Sequence, residues 1–257
     1  MQRLEDTSST TQVVGAIIAY SICSSTLLLA NKMTMVYLPL PSVVSFLQIV
    51  SSTLIVLSIK MCGVTVDDLD SEKLKQYGLY IVAFVTCIFA NMKALENSNV
   101  ETVIVFRACS PLAVTVVEYL FMDRSWPSIR SSTSLFIVSA GAIIYCQSDS
   151  QIALEGIGAY GWVITYFFLI TFEMTYGKKL TSSVDMKSVW GPVLYCNLLS
   201  ILPMGALGLI SGDFDNLSEN LSNMNSTGWA LLVFSCIVGT LIGYTGNPNV
   251  SQFSPKL

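Results

Sequence analysis

The sequence contains no histidine and few charged residues. Its 257 residues include 13 Lys or Arg and 17 Asp or Glu, together 12% of the chain, which is about half the charged share of an average soluble domain. Without histidine there is no Ser-His-Asp triad, no histidine general acid or base and no histidine-ligated zinc site. The net charge of −4 and the pI near 4.8 argue against nucleic acid as a partner, because a nucleic-acid-binding protein carries a basic face.

The sequence is correspondingly rich in apolar residues. They make up 53% of the chain, and the mean hydropathy is +0.63, more apolar surface than one soluble core of this size can hide. The sequence therefore predicts an all-α integral membrane protein. It has no glycine-rich phosphate loop, no kinase motif set and no cluster of metal ligands, so we expect no enzyme activity, no cofactor and no metal. The seven cysteines include no C-x-x-C pair and are interpreted as small apolar side chains.

Eight segments are long and apolar enough to cross a bilayer, which requires about 20 residues per helix. This count predicts a polytopic bundle of about eight transmembrane helices. The spans lie within residues 7–31, 33–59, 76–92, 102–122, 131–148, 156–176, 188–212 and 227–246. Proline marks two boundaries, since Pro39 and Pro41 separate the first two spans and Pro127 precedes the fifth.

The distribution of Lys and Arg over alternate loops predicts the orientation. One side carries ten of these residues and the other carries two, Lys32 and Lys93. The ten are Arg3, Lys60, Lys73, Lys75, Arg124, Arg130, Lys178, Lys179, Lys187 and Lys256. The predicted orientation therefore places both termini in the cytosol. It places on the opposite side the loop 213–226, which has three N-x-[ST] sequons and no Lys or Arg.

Charged side chains at membrane depth are costly and usually face a cavity or a partner. Arg107 and Glu118 share one face of the fourth span about 16 Å apart along the axis, too far to bond each other. Arg107 is interpreted as a residue that attracts an anionic substrate, or as a member of a structural ion pair or a side chain that reaches the interface. Glu173 lies within the sixth span, close before Lys178 and Lys179, where the lysines are positive-inside anchors or substrate contacts.

Polar residues near the ends and middles of other spans are further candidates. Lys32 follows Asn31 at the end of the first span, on the lysine-poor side, so orientation alone does not account for it. Tyr195 and Asn197 interrupt the apolar seventh span. An asparagine there either bonds a neighbouring helix or contacts a ligand.

Several of these segments resemble the nucleotide-sugar transporters of the drug/metabolite transporter superfamily, and in particular the plant-type branch of Golgi GDP-mannose transporters. The resemblance covers nearly the whole chain and is most specific in the run 91–127. It extends to Leu29-Ala-Asn31-Lys32 with the following Pro39-Leu-Pro41, and to Tyr176-Gly-Lys178-Lys179. Tyr195-Cys-Asn197 is a partial form of the family's F-Y-N-N motif, with Cys196 in place of one asparagine.

The resemblance implies a fold of ten helices in two inverted five-helix repeats, with exchange of a cytosolic nucleotide sugar for lumenal nucleoside monophosphate across the Golgi membrane. It divides the chain into a cytosolic segment 1–12, a first repeat at 13–148, a partial second repeat at 156–246 and a polar tail at 247–257. Its implied substrate contacts are Asn31, Lys32, Arg107, Lys178, Tyr195 and Asn197. Of these, Lys32, Arg107 and Lys178 would meet phosphate charge, and Tyr195 and Asn197 would contact the sugar. The implied substrate is GDP-mannose.

Two helices of that ten-helix fold are missing from the eight spans. The residues after Gly246 do not resemble the family's ninth helix, and its base-reading G-A-L-N-K motif does not occur. We therefore expect a C-terminally truncated form with impaired transport. Two alternatives remain open: a non-transporting chain that pairs with a longer form or with itself, and a carrier of another nucleotide sugar or a phosphorylated metabolite.

Overall fold

The structure is a computed structural model that describes residues 2–122, 124–148, 160–184, 186–215 and 217–246. For residues 2–13, 181 and 182 it describes the backbone alone. The predicted tail 247–257 and the sequon residue Asn216 lie outside the described residues, and so does Met1 of the predicted N-terminal segment.

Within these ranges the chain forms nine helices and no strand, which confirms the prediction of an all-α polytopic membrane protein. Their bounds are α1 Gln2–Tyr37, α2 Pro41–Met61, α3 Ser71–Asn97, α4 Val100–Phe121, α5 Ile129–Ser148, α6 Gly161–Ser183, α7 Trp190–Ser211, α8 Leu217–Asn223 and α9 Ser226–Thr245.

Seven helices of the described chain are long and apolar enough to cross a membrane, namely α1 from Val14 onward, α2, α3, α4, α5, α7 and α9. The sixth predicted span corresponds to α6, which has 23 residues but is not among the seven. That span was predicted to begin at Gly156, and residues 156–159 lie outside the described ranges.

Helix boundaries follow local chemistry. Pro41 opens α2, where its fixed φ suits the first turn and its missing N–H costs nothing. Gly212 ends α7 with a φ of 74°, a left-handed conformation that glycine adopts without strain. Asn225 accepts the N–H of Gly228 at 2.9 Å and caps α9, so this sequon side chain has a structural role.

The chain divides into two compact units. The first comprises Met1–Tyr77 and Asp185–Leu257, and the second comprises Gly78–Val184. In the first unit α2 packs on α7 and α9, and α1 packs on α9. Val56, Val193 and Leu194 form an apolar cluster between α2 and α7. In the second unit α4 packs on α5 and α6. The predicted boundaries of the two repeats remain a prediction.

Candidate functional site

A polar bridge joins three helices of the first unit at Asn31. This α1 side chain is 4% exposed, and its Oδ1 accepts a hydrogen bond of 2.8 Å from Nε2 of Gln48 on α2. The same nitrogen donates to Oγ of Ser235 on α9 at 3.0 Å. Lys32, the next residue of α1, is half-buried. Because apolar lipid offers no hydrogen bonds, the bridge fixes the amide of Asn31 in one orientation.

Tyr195 on α7 is buried at 0% exposure, and its hydroxyl group is engaged by the loop before α3. The hydroxyl donates to the carbonyl of Asp68 and accepts from the N–H of Asp70, both at 2.7 Å. Its ring packs against Tyr77 with centroids 5.4 Å apart. In this conformation Tyr195 anchors a loop, and its sugar-contacting role remains a prediction.

The same loop is held at a second point beside Tyr195. Nζ of Lys60, near the end of α2, donates to the carboxylate of Asp68 at 2.6 Å. This hydrogen bond and the lysine's charge hold the pKa of Asp68 below its ordinary value. The carboxylate is almost fully exposed, so the pair contributes little to the free energy of unfolding.

Asn197 lies two positions further along α7 and is half-buried. Its Nδ2 donates to the carbonyl of Val193 at 2.8 Å, one turn back along the helix. Its Oδ1 has no hydrogen-bond partner among the described residues. An amide whose nitrogen is fixed to its own helix presents its oxygen as an acceptor, which suits a hydroxyl or amine donor of a ligand.

Arg107 on α4 belongs to the second unit, where a carboxylate from another helix neighbours it. It is half-buried, and its charge acts on Glu173 of α6 and on Cys87 of α3. The hydroxyl of Tyr80 on α3 donates to Oε1 of Glu173 at 2.5 Å. Tyr80 thus fixes the carboxyl group of Glu173 by a hydrogen bond from α3 to α6.

Lys178 on α6 forms an ion pair with Glu118, near the end of α4. Its Nζ lies 2.8 Å from Oε1 of Glu118, and Nη1 of Arg124 lies 3.4 Å from the second carboxylate oxygen. The Glu118 side chain is 11% exposed and that of Lys178 is 52% exposed. A polar cavity of about 310 Å³ lies beside this ion pair and is lined by Glu118, Arg124, Thr115, Ser125 and Pro127.

Glu118 was expected to face a cavity or a partner, and the structure pairs it with Lys178 of another helix. Sequence reasoning did not single out Gln48 and Tyr80, which hold Asn31 and Glu173. Gln48 could have been found from the sequence, because it is a lone amide in an apolar run without charges. Tyr80 could not, because a tyrosine in an aromatic-rich helix is not distinctive. Asn31, Lys32, Tyr195 and Asn197 belong to the first unit, whereas Arg107 and Lys178 belong to the second.

Comparison with family models gives no match for the chain. Curated proteins do match. The chain is 33% identical over 236 residues to GDP-fucose transporter 1 of Arabidopsis thaliana, an alignment that covers 90% of this chain and 68% of the relative. It is 28% identical over 241 residues to GDP-mannose transporter GONST3 of the same plant, covering 91% and 63%. It is 25% identical over 248 residues to the plant's UDP-galactose/UDP-glucose transporter 7, covering 94% and 74%.

All three relatives carry transporter names, and their alignments run through nearly all of this chain. The alignments span only about two thirds of the length of the first two relatives. The prediction that the chain is not an enzyme is confirmed by these relatives. Its all-helical, multi-span fold agrees with that of a membrane carrier. The chain belongs to the family of nucleotide-sugar transporters.

Proposed function

We propose that this chain carries a GDP-linked sugar across the Golgi membrane in exchange for guanosine monophosphate. The observation that carries the proposal is the alignment of 236 residues at 33% identity with a GDP-fucose transporter. A GDP-mannose transporter aligns over a similar length. Both relatives are named for GDP-linked sugars, and the two sugars differ. The nucleotide part of the substrate is therefore better supported than the sugar part.

The sequence resemblance favours GDP-mannose as the substrate, whereas the two alignments support GDP-fucose and GDP-mannose alike. A UDP-linked hexose is the second candidate, because a transporter of UDP-galactose and UDP-glucose aligns over 94% of this chain. The two classes differ in the base, so a competition experiment with GMP and UMP separates them.

Phosphate groups are bound by cationic side chains and sugar hydroxyls by polar ones, and the candidate residues include both kinds. In this proposal Lys32 and Arg107 attract the diphosphate, since cations held at membrane depth are costly unless they serve a partner or a ligand. Lys178 contributes after it separates from Glu118. The Nδ2 of Asn31 and the Oδ1 of Asn197 supply polar contacts, because the structure already engages the other atom of each amide.

The orientation with both termini in the cytosol also belongs to the proposal, as does the Golgi location. Ten of the thirteen Lys and Arg residues fall on the side assigned to the cytosol. Cysteines placed singly in the loops 62–70 and 213–226, each labelled with an impermeant thiol reagent in sealed Golgi vesicles, test it. We expect labelling of the first loop and protection of the second, and the reverse pattern would contradict the orientation.

Exchange in proteoliposomes tests the transport proposal. The chain is reconstituted in vesicles preloaded with GMP, and uptake of labelled GDP-mannose or GDP-fucose is measured. Arg107→Gln is expected to raise KM at least about tenfold, the value of one lost charge-assisted contact. Lys75→Gln, a change of an exposed lysine at the start of α3, serves as the matched control and should leave KM unchanged. Equal KM values for both variants would remove Arg107 from the substrate contacts.

A further inference from the structure

Two buried aspartates, one after each helix, close the two ends of the α2–α7 pair. Asp67, in the loop after α2, is 7% exposed, and Asp213, directly after the end of α7, is 8% exposed. Each carboxylate reaches the beginning of the other helix. We call these contacts the Asp67 clasp and the Asp213 clasp. Asp67 also lies 3.6 Å from Nζ of Lys73, at the start of α3.

The Asp67 clasp holds the segment that leads into α7. Its Oδ1 accepts the N–H of Lys187 and its Oδ2 accepts the N–H of Ser188, both at 2.9 Å. Oγ of Ser188 in turn accepts the N–H of Gly191 at 3.1 Å in the first turn of α7. A side chain at Gly191 would collide with the carboxylate, since its Cβ would lie 2.5 Å from Oδ2 of Asp67.

The Asp213 clasp does the same for α2. Its Oδ2 accepts the N–H of Ser42 at 3.0 Å and also accepts a hydrogen bond from the Ser42 hydroxyl. Carboxylates at helix N-termini satisfy backbone N–H groups that have no partner within the helix, and they are favoured by the helix dipole. Asp213 therefore caps α2 directly, at Ser42 in its first turn. Asp67 caps α7 indirectly, because it holds Ser188, which precedes the helix and accepts the N–H of Gly191 in its first turn.

The two clasps also match in sequence. Ser42 and Asp67 are 25 positions apart, and so are Ser188 and Asp213; a valine follows each serine. α2 and α7 have 21 and 22 residues, and the reciprocal contacts require that they run antiparallel. An approximate two-fold axis therefore relates α2 to α7, and a rotation about it exchanges the two ends of the pair.

Both clasps are closed in the same conformation, which distinguishes them from the gate of a carrier. In alternating access one side of the carrier is open while the other is closed, so a gate has different contacts at the two ends in any one conformation. The Asp67 and Asp213 clasps are closed together, with backbone contacts of 2.9 Å and 3.0 Å. Opening either clasp would leave a buried carboxylate without these backbone donors, which is unfavourable.

We propose that Asp67 and Asp213 are a matched pair of positioning residues that keep α2 and α7 joined at both ends throughout the transport cycle, so that access changes elsewhere in the carrier. The transport cycle in this statement rests on the proposed function. The reciprocal capping itself does not, and it is tested separately.

The capping is tested by thermal unfolding of the purified chain in detergent. Asp67→Ala and Asp213→Ala are each expected to lower the midpoint by about 5 °C, and Asp67→Asn and Asp213→Asn by less, because asparagine caps almost as well as aspartate. Asp215→Ala, at an exposed position beside the second clasp, is the control. Midpoints equal to that of Asp215→Ala, or a loss at one end alone, would overturn the proposal.

Simultaneous closure is tested with cysteine pairs in a background without the seven native cysteines. Ser42→Cys with Asp213→Cys, and Asp67→Cys with Ser188→Cys, are combined in one chain and treated with a short bifunctional thiosulfonate. Intact-mass analysis should find both cross-links in the same molecule. At most one cross-link in each chain would overturn the proposal, whether or not the chain transports.

Exchange then decides whether the clasps stay closed while the carrier works. The doubly cross-linked chain should exchange GDP-sugar for GMP within about twofold of the same chain after reduction. Exchange that is lost on cross-linking and restored by reduction would show that a clasp is a gate, and would overturn the proposal. If the native chain, with both aspartates and its seven cysteines, shows no exchange, the proposed function fails, and the unfolding and mass measurements still decide the capping and the simultaneous closure.

Discussion

Replacing Tyr195 with phenylalanine separates two roles that the residue can have. The change removes the hydroxyl and keeps the ring that packs against Tyr77. Two hydrogen bonds of 2.7 Å to the backbone at Asp68 and Asp70 are lost. Each hydrogen bond of this kind contributes about 0.5–1.5 kcal/mol net, so the free energy of unfolding should fall by about 1–3 kcal/mol. If the hydroxyl acts only as an anchor, KM for the nucleotide sugar should change by less than about twofold.

The assay combines denaturant unfolding in detergent with exchange kinetics on the same preparations. Tyr244→Phe is the control, because Tyr244 stacks on Trp190 and its hydroxyl has no hydrogen bond within the described ranges. An unchanged free energy of unfolding together with a KM raised at least about tenfold would refute the anchoring argument and would identify the hydroxyl as a substrate contact.

Three further changes test other contacts. Gln48→Leu breaks the bridge to Asn31 and should lower the free energy of unfolding by about 1–2 kcal/mol. Gln48→Glu is the comparison in the same denaturation assay. An unchanged free energy of unfolding for Gln48→Leu would mean that the bridge contributes nothing. Glu118→Gln should lower KM several-fold if Lys178 must leave this carboxylate to bind phosphate, and an unchanged KM in the exchange assay would assign Lys178 to anchoring alone. Gly191→Ala should destabilise the chain by about 1–3 kcal/mol, because its Cβ displaces a buried carboxylate, and a stable variant in thermal unfolding would contradict the close approach.

The helical architecture was largely predictable from sequence because its causes are local. Pro41 and Pro127 set the starts of α2 and α5 close to where they were expected. Long charge-free runs gave the first two helices. The first span was predicted to lie within residues 7–31, whereas α1 runs from Gln2 to Tyr37. Polar residues at both ends of the apolar run continue the helix, so apolar content alone did not give its bounds.

The contacts of the candidate residues could not be read from the sequence, because they depend on the register between distant helices. Ser42 and Asp213 are 171 positions apart, and Tyr195 is 125 positions from Asp70. The partial F-Y-N-N motif pointed to Tyr195 as a sugar contact, and nothing local indicated that the loop before α3 would engage its hydroxyl. Glu118 was recognised as a residue in need of a partner, but its choice of Lys178 follows from the packing of α4 on α6.

Exchange in proteoliposomes is the measurement that tests the central claim most directly. Vesicles that contain this chain and are preloaded with GMP should take up labelled GDP-mannose or GDP-fucose. External GMP should compete with the uptake and external UMP should not. Competition by UMP instead of GMP would replace the guanosine assignment with a uridine one. A folded, inserted chain that exchanges neither class of nucleotide sugar would contradict the account.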